Sequence, residues 1–228
     1  MKKVFAFVFA RGGSKGLPRK NVLPLGGIPL VAHSIMVAKQ IIEIERIFVS
    51  TDDDEIKRIA TAYGAEVINR PKELSSDNAS ELEAWRHALN YLKDKGEDFD
   101  IFLSLPATSP LRDQSDVIEC LASLDDETDI VLTVTPASRS PFFNMVSRGF
   151  DGRSRLLLPS SGYVRRQDVP QAYDITTVAY AVKPKFIHDC NSLFDGSVKS
   201  VVVPKERAID IDDGFDYKFA EVLYKKRG

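Results

Sequence analysis

Arg11, Lys15, Arg19 and Lys20 fall within eleven residues, interleaved with Gly12, Gly13 and Gly16, and no carboxylate stands among them. Glycines let backbone N–H groups approach phosphate oxygens closely, and the cations offset the charge that N–H groups alone cannot. The composition is that of a loop that wraps a polyphosphate. Its charge is local: the first acid in the chain is Glu43, although the formal net charge of the whole is -2. The segment has neither GxxxxGK followed by Ser or Thr nor GxGxxG, and Pro18 opposes a helix directly behind the glycines, so a P-loop and a dinucleotide fingerprint are both excluded.

A second set of residues stands far along the chain. Ile209-Asp210-Ile211-Asp212 alternates aliphatic with carboxylate, so an extended backbone would send both carboxylates to one face and the isoleucines to the core. Two hard oxygen ligands on one face suit Mg²⁺, which completes its shell with water and substrate phosphates. With the cationic loop, the pair describes a nucleotidyl-transfer site. His33, His87 and His188 are isolated, which argues against a histidine base, and Cys120 and Cys190 lack metal-ligand spacing.

These residues need strand ends to hold them. Strands are expected over 3 to 10, 46 to 51, 65 to 69, 100 to 104, 129 to 135, 176 to 182 and 198 to 203, mostly as the unbroken apolar runs of a sheet covered on both faces. Between them, amphipathic stripes predict helices: Ile56, Ile59, Ala60 and Tyr63; Leu82, Trp85, Leu89 and Leu92; Val117, Ile118 and Leu121 after an Asp113 cap; Phe215, Phe219, Val222 and Leu223 after Asp213. The fold class is α/β, with a mainly parallel, helix-covered sheet. One domain over residues 1–228 is expected, with 137–175, rich in Ser, Arg, Pro and Gly, as a small β excursion or subunit-bridging arm within it. No window reaches the ~20 apolar residues of a membrane span, and the N-terminal apolar run is short for a signal peptide, so a cytoplasmic protein is expected.

In order along the chain stand Arg11 to Asn21, Ser50-Thr51-Asp52, Asn69-Arg70-Pro71, Ser76-Asp77-Asn78-Ala79-Ser80, Thr108-Ser109-Pro110-Leu111-Arg112 and Ile209-Asp210-Ile211-Asp212. Together they resemble the N-acylneuraminate cytidylyltransferases, from residue 4 to about residue 220. The resemblance implies the nucleotide-diphospho-sugar transferase type of Rossmann-like fold, a homodimer, and use of CTP and Mg²⁺ to make a CMP-linked nonulosonic acid with release of pyrophosphate. Neither nucleic acid nor membrane is an implied partner. By position it assigns Arg11, Gly13, Ser14, Lys15, Lys20 and Asn21 to the nucleotide, Arg70, Ala79 and Ser80 to cytosine and ribose, and Asp210 and Asp212 to the metal. Catalysis falls to Arg11, Lys20, Asp210 and Asp212. Arg166, Gln167, Tyr180 and Phe194 would meet the sugar acid.

The departures concern the sugar. Pro106-Ala107 stands where many relatives have Gln-Pro, Asp174 to Thr177 where they often show Arg-Pro-Asn-Gly, and Phe142-Phe143 where some carry a lysine that reaches the other subunit. The nucleotide half is intact and the sugar half altered. Alternatives are therefore a legionaminic, pseudaminic or eight-carbon ulosonic acid as acceptor, or a non-catalytic nucleotide-binding module.

Overall fold

The computed structural model describes residues 2–76, 79–159, 162 and 165–227. In chain order the elements are β1 (Val4–Phe9), β2 (Pro24–Leu25), β3 (Ile28–Pro29), α1 (Leu30–Lys39), β4 (Ile44–Thr51), α2 (Asp54–Ala62), β5 (Glu66–Asn69), α3 (Glu81–Lys93) and β6 (Ile101–Ser104). There follow α4 (Gln114–Ala122), β7 (Ile130–Pro136), β8 (Val146–Arg148), β9 (Ser154–Leu156), β10 (Tyr173–Val182), α5 (Pro184–Asp189), β11 (Val198–Val202) and α6 (Gly214–Lys225). A sheet of seven strands runs in the order β11-β7-β10-β6-β1-β4-β5. Its neighbours pair in parallel except around β10, which is antiparallel to both β6 and β7.

Strand β1 shows how the sheet divides the core. Side chains alternate along a strand, so Val4, Ala6 and Val8 join Val31, Ile35, Ile56 and Val117 beneath α1, α2 and α4. Phe5 and Phe7 face the other way, into a cluster with Phe48, Trp85, Leu89, Phe102 and Ile187. The Phe7 and Phe102 rings stack at 4.1 Å between centroids. Small residues on one face and large on the other let helices sit close on one side while aromatic rings fill the space under α3 and α5.

Two expected helix faces differ from those observed. Ile118 of α4 is 40% exposed, and Cys120 is buried in its stead. In α6, Phe215, Phe219 and Val222 are exposed, whereas Ala220 is buried and Tyr217, Leu223 and Tyr224 pack with Leu25, Leu30 and Ile211. Small Ala220 lets α6 approach the β2–β3 hairpin. A methyl on Gly26, whose φ is +59°, would meet the Tyr224 ring at 1.9 Å, so glycine there serves both the turn and the contact.

An ion pair just before the two aspartates ties their segment to α4. Arg207 Nε and Nη2 donate to the Asp116 carboxylate at 2.8 to 3.1 Å, and Asp116 is buried on α4. Arg207→Ala leaves that carboxylate buried without its counter-charge. A loss of about 3 kcal/mol in a denaturant melt is the expected result, a cost typical of removing one partner of a buried pair. An unchanged midpoint would show that the tether contributes nothing.

In the 137–175 excursion, β8 and β9 form an antiparallel hairpin, Val146 facing Leu156 and Arg148 facing Ser154. Tyr173 to Ile175 extend β10 beside Pro136 to Val134, so that strand begins earlier than its apolar run indicates. Register shifts between Thr176 and Tyr180, where the strand bulges.

Candidate active site

The carboxyl ends of β1, β5 and β6 open onto one cleft of about 580 Å³. Ligands of parallel α/β sheets sit at such ends. From the loop after β1, Arg11, Ser14, Lys15, Gly16, Lys20 and Asn21 all reach its wall; Arg70, Ala79, Ser80 and Glu81 form the next stretch, and Asp210 and Asp212 complete it. Asp77 and Asn78, in the motif before Ala79, lie outside the described residues.

The loop keeps its shape through its own polar groups. Asn21 is buried and its Nδ2 donates to the Arg11 carbonyl at 2.9 Å, while the Gly12 N–H donates to Asp52 Oδ1 at 3.0 Å. Asn21 is thus a brace for the loop as well as part of its wall. Gly16 passes so close to the acidic segment that a methyl on it would meet the Asp212 carbonyl oxygen at 2.4 Å. Gly13 is outside the cleft wall, with open space where a side chain would be.

Arg19 corrects the reading of four phosphate-facing cations. It adopts φ 58°, ψ 24°, and its guanidinium bonds Asp53 and Glu55 at the start of α2. Hydrogen bonds to the two carboxylates raise its pKa further, and the Arg19 guanidinium holds the Asp53 carboxyl below its usual range. Arg19 fastens the loop to α2 and does not line the cleft. Arg11, Lys15, Lys20 and Arg70 are the cations that do.

Arg70 is held rigidly at the end of β5. Its Nε donates to Ser50 Oγ at 3.2 Å, its Nη2 donates to the Ser50 carbonyl at 2.5 Å, and its guanidinium lies 5.5 Å from the Phe9 ring centre. Burial lowers its pKa to about 10, which still leaves it charged at neutral pH. Ser80 caps α3, accepting from the Glu83 N–H at 3.2 Å in a reciprocal capping box.

Opposite, Lys20 Nζ lies 3.0 Å from Asp212 Oδ1, with the lysine side chain 11% exposed and the aspartate 76%. Ile211 between the aspartates is fully buried, and its N–H donates to the Thr108 carbonyl at 2.8 Å. The alternation therefore directs both carboxylates to the cleft as expected. Asp210 Oδ1 is buried and has no hydrogen-bond partner. Its carboxyl is pushed above the usual range by burial, with the Asp212 charge adding to the rise and hydrogen bonding by the Thr108 and Thr177 side chains and the Lys20 charge opposing it. A buried, unpartnered carboxylate oxygen beside a second carboxylate fits a divalent cation, whose remaining ligands would be phosphate oxygens and water. Among the described residues no group of three or more His, Cys, Asp and Glu is placed to hold a metal by itself.

Thr108 and Thr177, each within a stretch already noted but without an assigned role, also line the cleft, as does Glu81. Thr177 sits in the β10 bulge, its Oγ1 2.6 Å from Ser109 Oγ, and a bulge leaves no mark in the hydrophobic pattern. Arg112, buried within the Thr-Ser-Pro-Leu-Arg motif, donates to the Thr177 carbonyl at 3.1 Å and also bonds the Pro106 carbonyl and Ser34 Oγ. It fixes the backbone that presents Pro106, Thr108 and Thr177. Burial lowers its pKa to about 9. Glu81 stands at the first turn of α3, where its position reads only as favourable to the helix dipole.

The four residues expected at the sugar acid are dispersed. Tyr180 is buried edge-on against Trp85, 5.7 Å between ring centres, and is behind the cleft wall. Phe194 is 61% exposed after α5. Gln167 lines a separate hollow with Ala137, Arg139 and Ser140 on the excursion. Arg166 opens the short 3-10 turn Arg166–Asp168, and its side chain lies outside what the structure describes.

A model of the cytidylyltransferase family matches residues 5–147. The chain is 33% identical to post-translational flagellin modification protein B of Campylobacter coli, over all of its own length and 97% of the relative's. It is 32% identical to an N-acylneuraminate cytidylyltransferase of Escherichia coli over 99% of its length, spanning about half (53%) of that protein. Identity to a CMP-N,N'-diacetyllegionaminic acid synthase of Campylobacter jejuni is 30%, over 98% of this chain and 95% of that one. Among solved structures, a CMP:2-keto-3-deoxy-manno-octonic acid synthetase complexed with CTP superposes with a TM-score of 0.74 at 17% identity, covering 99% of this chain and 100% of that one, a likeness of fold. With a glycine-rich cationic loop facing two aspartates across the cleft, and with relatives that match along its whole length, the chain belongs to the cytidylyltransferase family.

Proposed function

We propose that this protein transfers CMP from CTP to the anomeric hydroxyl of a 2-keto-3-deoxy nonulosonic acid, releasing pyrophosphate. The observation that carries the reading is the cleft itself: Arg11, Lys15 and Lys20 face Asp210 and Asp212, with Asp210 Oδ1 buried and unpartnered. A cytidine triphosphate would lay its phosphates along the β1 loop and its base towards Arg70 and Ala79. Attack on an α-phosphorus surrounded by anionic oxygens requires charge to be placed beforehand, so positioning and electrostatic stabilisation dominate. Lys20 and Arg11 serve that end. Lys20 now pairs with Asp212, and its ammonium can turn to a phosphate oxygen within the same cleft. Asp210 and Asp212 would hold Mg²⁺, which when bound neutralises phosphate oxygens and favours departure of pyrophosphate.

The names of the relatives support an ulosonic acid acceptor and span N-acylneuraminate, legionaminic and pseudaminic acids. The experiment is pyrophosphate release with each of the four nucleoside triphosphates against a panel of these acids and an eight-carbon analogue. Turnover with CTP and a nine-carbon acid supports the reading. Faster turnover with ATP or GTP would contradict it.

The excursion is proposed to bridge two subunits. Val146, Phe150, Leu156, Leu157 and Leu158 are all exposed on or next to its hairpin, and so many large apolar side chains on one excursion call for a cover. A second copy would cover it and bring Arg166 and Gln167 towards the partner's cleft. Light scattering at micromolar concentration should give twice the mass of 25.4 kDa. A fully active monomer would sink the shared-site arrangement. A cytoplasmic setting, where CTP is made, fits the reaction, and no helix is long and apolar enough to cross a membrane among the described residues.

A further inference from the structure

Thr177 enters the cleft from a bulge in β10 that the fold braces on both sides. Buried Thr176 donates through Oγ1 to Thr133 Oγ1 at 2.7 Å, and Thr133 Oγ1 in turn donates to the Ala179 carbonyl at 3.2 Å and accepts from the Ala179 N–H at 3.1 Å. Arg112 Nη2 holds the Thr177 carbonyl at 3.1 Å. Bulges beside sites re-aim side chains. This one sends Thr177 to the cleft while Thr176 and Val178 stay buried.

There Thr177 joins a cluster of hydroxyls beside a carboxylate. The Thr108 and Thr177 side chains both hydrogen-bond the Asp210 carboxyl. Ser109 Oγ lies 2.6 Å from Thr177 Oγ1, whereas 3.4 Å separates the Thr108 and Thr177 oxygens, which is long for an O–H···O bond. A hydroxyl has one proton to donate, and an ionised carboxylate only accepts. The polarity of the cluster follows: buried Ser109 donates to Thr177, and Thr177 and Thr108 each donate to Asp210. The Ile211 N–H on the Thr108 carbonyl, at 2.8 Å, keeps the two segments in register. Asp210 Oδ1 is left without a partner, so the hydroxyls secure the carboxylate and leave one of its oxygens open.

We infer that Thr108 and Thr177 are positioning residues for Asp210, their hydroxyls fixing the carboxylate so that Oδ1 is presented to a divalent cation. This rests on the reading that Asp210 and Asp212 hold Mg²⁺. Carboxylates that ligate metals keep their aim through hydrogen bonds from outside the coordination shell. The Thr177 hydroxyl is this chain's own contribution: it closes the stretch Asp174 to Thr177, where relatives often show Arg-Pro-Asn-Gly, and glycine has no such group.

Mn²⁺ titrated into the protein carrying α,β-methylene CTP, and followed by electron paramagnetic resonance, reads this arrangement without turnover. Asp210→Asn defines how much of the affinity the aspartate supplies. Thr177→Val and Thr108→Val keep the side-chain shape and remove the hydroxyl. Each should weaken Mn²⁺ binding by about 10-fold or more, the usual effect of losing a partner of a metal ligand, while Thr177→Ser, which keeps the hydroxyl, should stay within about two-fold of wild type. Metal-free titration of the same nucleotide analogue should give unchanged affinity in all three threonine variants. Wild-type Mn²⁺ affinity in both valine variants, or a loss in Thr177→Ser as large as in Thr177→Val, would overturn the inference. A loss of metal-free nucleotide affinity would put the hydroxyls on the nucleotide and overturn it as well. Mn²⁺ binding that survives Asp210→Asn unchanged would remove the metal reading, and the inference with it. Binding lost in Asp210→Asn but intact in both valine variants would leave that reading standing and remove the positioning role alone.

Discussion

Asp210→Asn should lower kcat by about 10²-fold or more while leaving the KM for CTP within a few-fold. The substitution keeps the shape of the side chain and removes the charge from an oxygen that is buried without a partner. The cationic loop proposed to hold the phosphates is untouched. Because burial already penalises the Asp210 charge in the folded state, the variant should melt at an unchanged or higher temperature, the pattern of a residue kept for function at some expense of stability. The Mg²⁺ concentration for half-maximal rate should rise in parallel. Near-normal turnover at saturating Mg²⁺ would remove Asp210 from the metal site, and a large drop in melting temperature would make its role structural.

The second large effect is expected at Lys20. Lys20→Ala should reduce kcat/KM for CTP by about 10²- to 10³-fold, as removal of a preorganised charge from a reacting phosphate commonly does. The side chain is mostly buried and lies 3.0 Å from Asp212, which fixes its charge at the acidic side of the cleft. Its loss also leaves Asp210 and Asp212 facing each other without this counter-charge. Isothermal titration with CTP separates the two contributions. Unaltered affinity and turnover would mean that the ammonium serves only the ion pair.

Much of this site was legible because chemistry and composition coincide. The β1 strand is an apolar run, the loop behind it concentrates cations and glycines, and the alternation of Ile209 to Asp212 states its own facing. The structure confirms each as geometry. What was not legible depends on neighbours distant in sequence. Arg19 is equivalent to Lys20 by composition, and only the nearness of Asp53 and Glu55 draws it out of the cleft. The α6 stripe of Phe215, Phe219 and Val222 satisfies the helical period as well as Tyr217, Ala220 and Tyr224 do, and the hairpin at Gly26 decides which packs. Thr177 reaches the cleft through a bulge, and Glu81 from the first turn of α3 next to its cap Ser80. Gln167, Tyr180 and Phe194 are dispersed among a hollow on the excursion, the buried edge of Trp85 and an exposed turn after α5, and nothing in their own types marks that difference.

If this cleft joins CMP to an ulosonic acid, the anomeric oxygen of the acid becomes the bridge to the α-phosphorus of CTP as pyrophosphate departs. The most direct measurement is mass spectrometry of a quenched reaction containing CTP, Mg²⁺ and N-acetylneuraminate whose anomeric oxygen has been exchanged with ¹⁸O, alongside a pyrophosphate assay. The expected result is one pyrophosphate for each CMP-linked acid, with the label retained in the bridging oxygen. Free CMP with pyrophosphate and no linked product, or a linked product that has lost the label, would contradict it.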